Sequence, residues 1–141
     1  MEIAQFTYFQ QMAGIQCNPV PVELTYGLER ICMFVQDKAS VYDLIWNLDG
    51  VLYKDIFKEN EKQFSKYNFE FADIQNLFDT FNGLEKEAKN LLINRLPRPA
   101  YDQSLKASHV FNILDSRGAI SIAQRAGYIA RIRDLVKEVG E

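Results

Sequence analysis

Ile74, Leu77, Phe78, Phe81, Ala88, Leu91 and Leu92 recur at spacings of three and four. That period places them on one stripe of an amphipathic helix that must find a core to cover it. The stripe predicts a long helix from about Phe71 to Asn94, ended by Pro97 and Pro99, because proline lacks the N–H a continuing helix needs. Another helix is expected from about Ala100 to Asp115, with Gly118 as its stop. Ser121-Ile122-Ala123-Gln124 reads as a capping box for the last helix. There Ile122, Ile129, Ile132, Val136 and Val139 form the apolar stripe, backed by Tyr128 and Leu135. A three- or four-helix unit over residues 58–141 follows.

Before residue 58 the chain is aromatic, β-prone and broken by turn signals such as Cys17-Asn18-Pro19-Val20-Pro21. Residues 2–11 and 20–26 are predicted as paired strands, 28–36 as a helix, and Tyr42 to Trp46 as a short helix closed by the turn Asn47-Leu48-Asp49-Gly50. The fold class is therefore α+β, with residues 1–57 one domain and 58–141 a helical one. Along the first strand, period two puts Gln5, Thr7 and Phe9 on one face and the more apolar Ala4, Phe6 and Tyr8 on the other, which is assigned to the core.

With 141 residues, 48% of them hydrophobic, the chain can bury one real core or two small ones. A formal charge of -3 argues against a generic nucleic-acid coat, so any RNA contact must come from a local patch. Cys17 and Cys32 are too few for a zinc site and are expected to be reduced and structural. His109 has no titratable neighbour in sequence and reads as structural. No run of about 18 apolar residues occurs and no signal peptide opens the chain, which predicts a cytosolic protein.

The densest chemical signal is Glu23-Leu24-Thr25-Tyr26-Gly27-Leu28-Glu29-Arg30, where a β-prone run turns through one glycine into a helix bearing Glu29 and Arg30 in its first turn. Glycine lets a backbone come close at such a corner, and the flat guanidinium of Arg30 suits an adenine ring or a phosphate. A plain helix start with a solvated ion pair gives the same pattern.

Met1 to Gln11 (MEIAQFTYFQQ) and Lys106 to Ser121 (KASHVFNILDSRGAIS), taken with the Gly27 to Arg30 turn in order and spacing, resemble the α subunit of bacterial tetrameric glycyl-tRNA synthetase, from Glu2 to about Val139. The resemblance implies a class II aminoacyl-tRNA synthetase: the final strands of its antiparallel sheet, the helix of its third signature motif and an appended helical bundle. It implies ATP-dependent activation of glycine to glycyl adenylate and transfer to tRNA(Gly), with Mg2+, a β subunit and an α homodimer within an α2β2 tetramer. No protein nucleophile is required, in keeping with the lack of a Ser-His or Cys-His pair.

On this resemblance Gly27, Glu29 and Arg30 match the third motif and bind ATP, with Arg30 over the adenine and toward the phosphates. Glu2 falls where related synthetases hold magnesium and ATP, a role needing a hard oxygen ligand; a surface glutamate at a strand start is the alternative. The strand after Glu2 would floor the glycine pocket. Gln5 would bond the ammonium, Thr7 and Phe9 would exclude a methyl group by bulk, and Glu23 would support the pocket or pair with a neighbouring cation. Gln5 and Thr7 are otherwise polar groups on a half-exposed strand. Glu2 and Gln5 have opposite parity, so a bend or bulge must intervene if both face the site. Lys106, His109, Asn112, Asp115, Arg117, Arg125, Arg131, Arg133 and Lys137 would dock the β subunit or tRNA, or form a solvated face.

The first two class II motifs are not found in these residues, and α subunits of the family are roughly twice this length. The expectation is a C-terminal half, inactive in adenylation alone, with strand edges that need covering. Two other readings stand beside it: a non-catalytic helical module for protein or RNA, and a synthetase-like paralogue with another aminoacyl product.

Overall fold

The computed structural model describes residues 2–141 and confirms an α+β chain of small antiparallel sheets and five α-helices. Its contacts divide it into two compact units, Met1–Gln10 with Cys17–Lys66, and Gln11–Gln16 with Tyr67–Glu141.

In the first unit, β1 (Ala4–Tyr8) pairs antiparallel with β4 (Val22–Tyr26). The first strand is shorter than the predicted 2–11, because the ladder reaches only as far as the Phe9 N–H on the Pro21 carbonyl, at 3.0 Å. Gln11–Met12 and Ile15–Gln16 instead form β2 and β3, a hairpin of the second unit. Its two-residue turn has positive φ at both Ala13 (52°) and Gly14 (81°), as a tight hairpin turn requires.

The apolar face of β1 and β4 is not a core, contrary to expectation. Phe6, Tyr8, Leu24 and Tyr26 are each at least 57% exposed. Two strands of five residues have no second layer to pack against among the described residues, so alternation sets the face without burying it. The strand β4 leads into α1 (Leu28–Val35), which ends where Asp37 takes positive φ (50°). Gln36 then clamps the following chain, its amide accepting from Ile45 N–H at 2.8 Å and donating to the Ile45 carbonyl at 3.2 Å.

The predicted helix from Tyr42 to Trp46 is a single 3-10 turn, Val41–Asp43, after which Ile45 bridges to Leu52 across the Asn47 to Gly50 turn. Trp46 packs edge to face on Tyr53 and Phe57 over this corner, where Leu44 is buried. Residues 53–66 form α2 (Tyr53–Lys66), five residues ahead of the expected change to helix. Its polar sequence leaves the apolar period faint, and its start is fixed by the Asp55 carboxylate accepting from Leu52 N–H at 2.9 Å.

The second unit holds three long helices: α3 (Ile74–Ile93), α4 (Pro97–Ser116) and α5 (Ile122–Gly140). A π-helical turn, Tyr67–Phe71, and the Asp73 cap precede α3. Pro97 starts α4 instead of merely ending α3, since the first helical position needs no N–H. Leu77, Phe81, Val110, Phe111, Ile113 and Leu114 form the core, joined by Ile120 after the α4 stop. That stop is a Schellman motif: Gly118 at φ +64° donates to Asp115, and Ala119 donates to Leu114. On α5 the buried residue is Leu135, whereas Ile122 is 94% exposed and does not belong to the stripe.

The capping box is present, with Gln124 N–H on Ser121 Oγ at 3.3 Å and Ser121 N–H on Gln124 Oε1 at 3.1 Å. Ser121→Ala is expected to cost the helical unit about 1 kcal/mol in urea unfolding with an unchanged denaturant slope. A loss below roughly 0.3 kcal/mol would mean that this box does not anchor α5.

Candidate functional site

Register decides which side chains meet. Gln5 lies opposite Thr25 and Thr7 opposite Glu23, and directly opposed residues share a sheet face, so these four form one polar surface. The ladder closes with Gly27 N–H on the Ile3 carbonyl at 2.9 Å, bringing the start of α1 beside Glu2. One turn into that helix, Arg30 Nη1 donates to the Glu2 carbonyl at 2.9 Å and stands 3.8 Å from Glu2 Oε1. Gln5 Nε2 donates to the same carboxylate oxygen at 2.8 Å.

The parity conflict between Glu2 and Gln5 is thereby resolved without a bulge. Glu2 precedes the first regular strand residue, Ala4, so strand alternation does not govern its side chain. Around the contacts opens a cleft of about 360 Å3 lined by Glu2, Ile3, Ala4, Gln5, Thr25, Gly27, Glu29 and Arg30. Five predicted site residues are therefore together. Thr7 and Glu23 lie farther along the same face, about 7 Å on at strand rise, and Phe9 lies one residue past β1. None of these three lines the cleft.

Thr25 was missed, although counting back by two from Gly27 places Thr25 and Glu23 on one face. Gly27 serves differently from expectation. As the N-cap of α1 its φ of -82° is open to any residue, so backbone conformation does not demand glycine. A Cβ there would meet Arg30 Cδ at 3.4 Å, an ordinary van der Waals contact, so the space beneath the arginine stem does not demand glycine either.

Two carboxylates and a guanidinium around an open polar cleft can serve an anion and a hard cation together. No trio of His, Cys, Asp or Glu poised to hold a metal occurs among the described residues. Magnesium commonly uses one or two carboxylates, with water and substrate phosphates completing its shell, so Glu2 and Glu29 fit it.

The basic residues of the helical unit are largely occupied within it. Lys106 pairs with Asp102 at 2.8 Å, Arg125 with Asp115 at 3.1 Å and Lys137 with Glu141 at 3.6 Å. Arg117 donates to the Ala72 carbonyl at 2.7 Å. Arg131, expected on a solvated face, instead binds Glu85 and Asn82 and lies over the Phe81 and Tyr128 rings. His109 is exposed on α4. No helix among the described residues is long and apolar enough to cross a membrane.

A strand delivered into a short helix, with an arginine and two carboxylates around the cleft at the corner, defines an α+β protein with a charged, ligand-sized site. Its family is equally definite. The family model of the glycyl-tRNA synthetase alpha subunit matches residues 1–141, and the chain belongs to that family. It is thus part of an aminoacyl-tRNA synthetase, a ligase.

Proposed function

We propose that the cleft at the β4–α1 corner is the ATP site of a class II glycine–tRNA ligase. The observation that supports this most is Arg30, whose guanidinium stands on the cleft wall beside Glu2 while its stem lies over Gly27. In this reading an oxygen of the glycine carboxylate attacks the α-phosphorus of ATP, the bond to the bridging oxygen breaks, and pyrophosphate leaves with that electron pair. The glycyl group of the resulting adenylate then passes to the 3′ end of tRNA(Gly), releasing AMP.

Arg30 stabilises charge on the phosphates and orients the nucleotide, and Gly27 and Glu29 border it. Glu2 would hold magnesium, which when bound would supply further charge neutralisation on the phosphate oxygens. Thr7, Phe9 and Glu23 bound the glycine end, and Gln5 stands between the two ends. The working assembly is an α2β2 tetramer with the β subunit, in the cytoplasm. These 141 residues alone are expected not to form adenylate, since the first two class II motifs are not found in them. A non-catalytic RNA or protein module has less to rest on, because Lys106, Arg125 and Lys137, three of the cations that would serve it, are each paired with a carboxylate of the unit.

Glycine-dependent exchange of pyrophosphate into ATP by the intact enzyme tests the reading. Thr7→Gly is expected to raise kcat/KM for alanine at least about tenfold, the range for one added methyl group in a pocket. Exchange with glycine that persists while alanine stays rejected would remove Thr7 from the pocket wall. No glycine-dependent exchange in the unaltered enzyme would overturn the ligase chemistry itself.

A further inference from the structure

We propose that Gln5 is a positioning residue for the magnesium and phosphate end of the site, acting through Glu2 by holding its carboxylate off Arg30. This rests on the reading of the cleft as an ATP site and assigns Gln5 a role in it. A carboxylate carries no proton to donate, so only the NH2 end of the Gln5 amide can face Glu2 Oε1, as the 2.8 Å contact has it. One of the two N–H donors of that amide is thereby engaged by the protein's own carboxylate.

Glu2 needs such a hold. It lies ahead of β1, where no strand ladder aims its side chain, and both it and Arg30 are more than half exposed. Left to itself, a flexible glutamate beside a guanidinium closes to a charge-assisted hydrogen bond of about 2.7–2.9 Å. Here the nearest approach of the two charged groups is 3.8 Å, while Arg30 Nη1 donates to the Glu2 backbone carbonyl. The Gln5 bond accounts for that separation. Its consequence is twofold: Arg30 keeps donors for a phosphate, and Glu2 keeps a carboxylate oxygen for a cation. Among the described residues no hydrogen bond reaches Glu2 Oε2.

The side chain of Gln5 is exposed on the sheet face, so its truncation leaves the fold intact, a point checked by circular dichroism. In the intact enzyme, ATP binding is titrated by calorimetry across magnesium concentrations. Gln5→Ala is expected to raise the magnesium concentration for half-maximal ATP binding about tenfold, as loss of a ligand-orienting partner does. The KM for glycine stays within about twofold. In a Glu2→Ala background the same change is expected to have no further effect, since a residue acting only through another is non-additive with it. A raised glycine KM with unchanged magnesium dependence, or effects of Gln5→Ala and Glu2→Ala that simply add, would overturn the proposal. The ATP-site reading fails separately, if Arg30→Ala leaves ATP binding in magnesium unchanged.

Discussion

Replacing Arg30 by alanine is expected to weaken ATP binding in magnesium by about tenfold to a hundredfold while leaving the fold as stable as before. The guanidinium is the cation bordering the cleft, and hydrogen bonds to charged groups contribute roughly 1.5–3 kcal/mol, which sets that range. Stability is insulated because, among the described residues, the Arg30 side chain bonds to Glu2 alone, and both are exposed. Surface pairs of this kind contribute about 0–1 kcal/mol. Arg30→Lys keeps the charge but not the flat, forked donor set, so it should recover only part of the loss. Binding that survives Arg30→Ala would show that the corner is a plain helix start.

The second large effect falls in the helical unit. Arg131 Nε donates to Glu85 Oε2 at 3.2 Å and Nη2 to Asn82 at 2.8 Å, and the guanidinium covers Phe81 at 4.6 Å and Tyr128 at 5.0 Å from the ring centroids. The Glu85 side chain is only 14% exposed. Arg131→Ala therefore strips the main cation from a half-buried carboxylate and uncovers two core rings. The expected cost is about 2–3 kcal/mol, below that of a fully buried pair because Arg131 itself is about a third exposed. For a unit of this size that lowers the melting temperature by roughly 10 °C or more. Differential scanning calorimetry decides it: a shift under about 3 °C would mean that Lys89, 2.9 Å from Glu85, holds the carboxylate unaided.

The same pair predicts an acid dependence. The Arg131 hydrogen bond pulls the Glu85 carboxyl below its ordinary value of 4.5, partial burial opposes the shift, and Lys89 adds to it. A carboxyl depressed in the folded state stabilises fully above its unfolded value, and that contribution is lost as pH falls through the folded one. The pair's stabilisation should thus be complete at neutral pH, begin to fall as pH drops past about 4.5, and be gone only below the depressed folded value.

The helical unit was largely legible in the sequence, because Leu77, Phe81 and Ala88 sit at helical spacing, and because Gly118 and Ser121 with Gln124 punctuate the chain by local chemistry. Hidden features depended on other parts of the chain. Nothing local shows that Arg131 meets Glu85, forty-six residues away, or that two aromatic rings lie beneath it. Likewise α2 is too polar for its period to stand out, and its start depends on Asp55 reaching back to Leu52.

At the cleft, Gly27, Glu29 and Arg30 were readable because they are contiguous. The closure of Arg30 on Glu2 needed the strand register, and the Gln5 contact needed Glu2 to lie outside the ladder. The apolar face of β1 and β4 illustrates a different limit: alternation tells which residues share a face, but burial requires a second layer to pack against it.

Amide hydrogen exchange with and without ATP and magnesium tests the central claim most directly. Protection is expected at residues 2–5 and 25–30, around the cleft, with residues 74–140 unchanged. Protection confined to the helical unit, or none at a saturating nucleotide concentration, would contradict the placement of the ATP site at this corner.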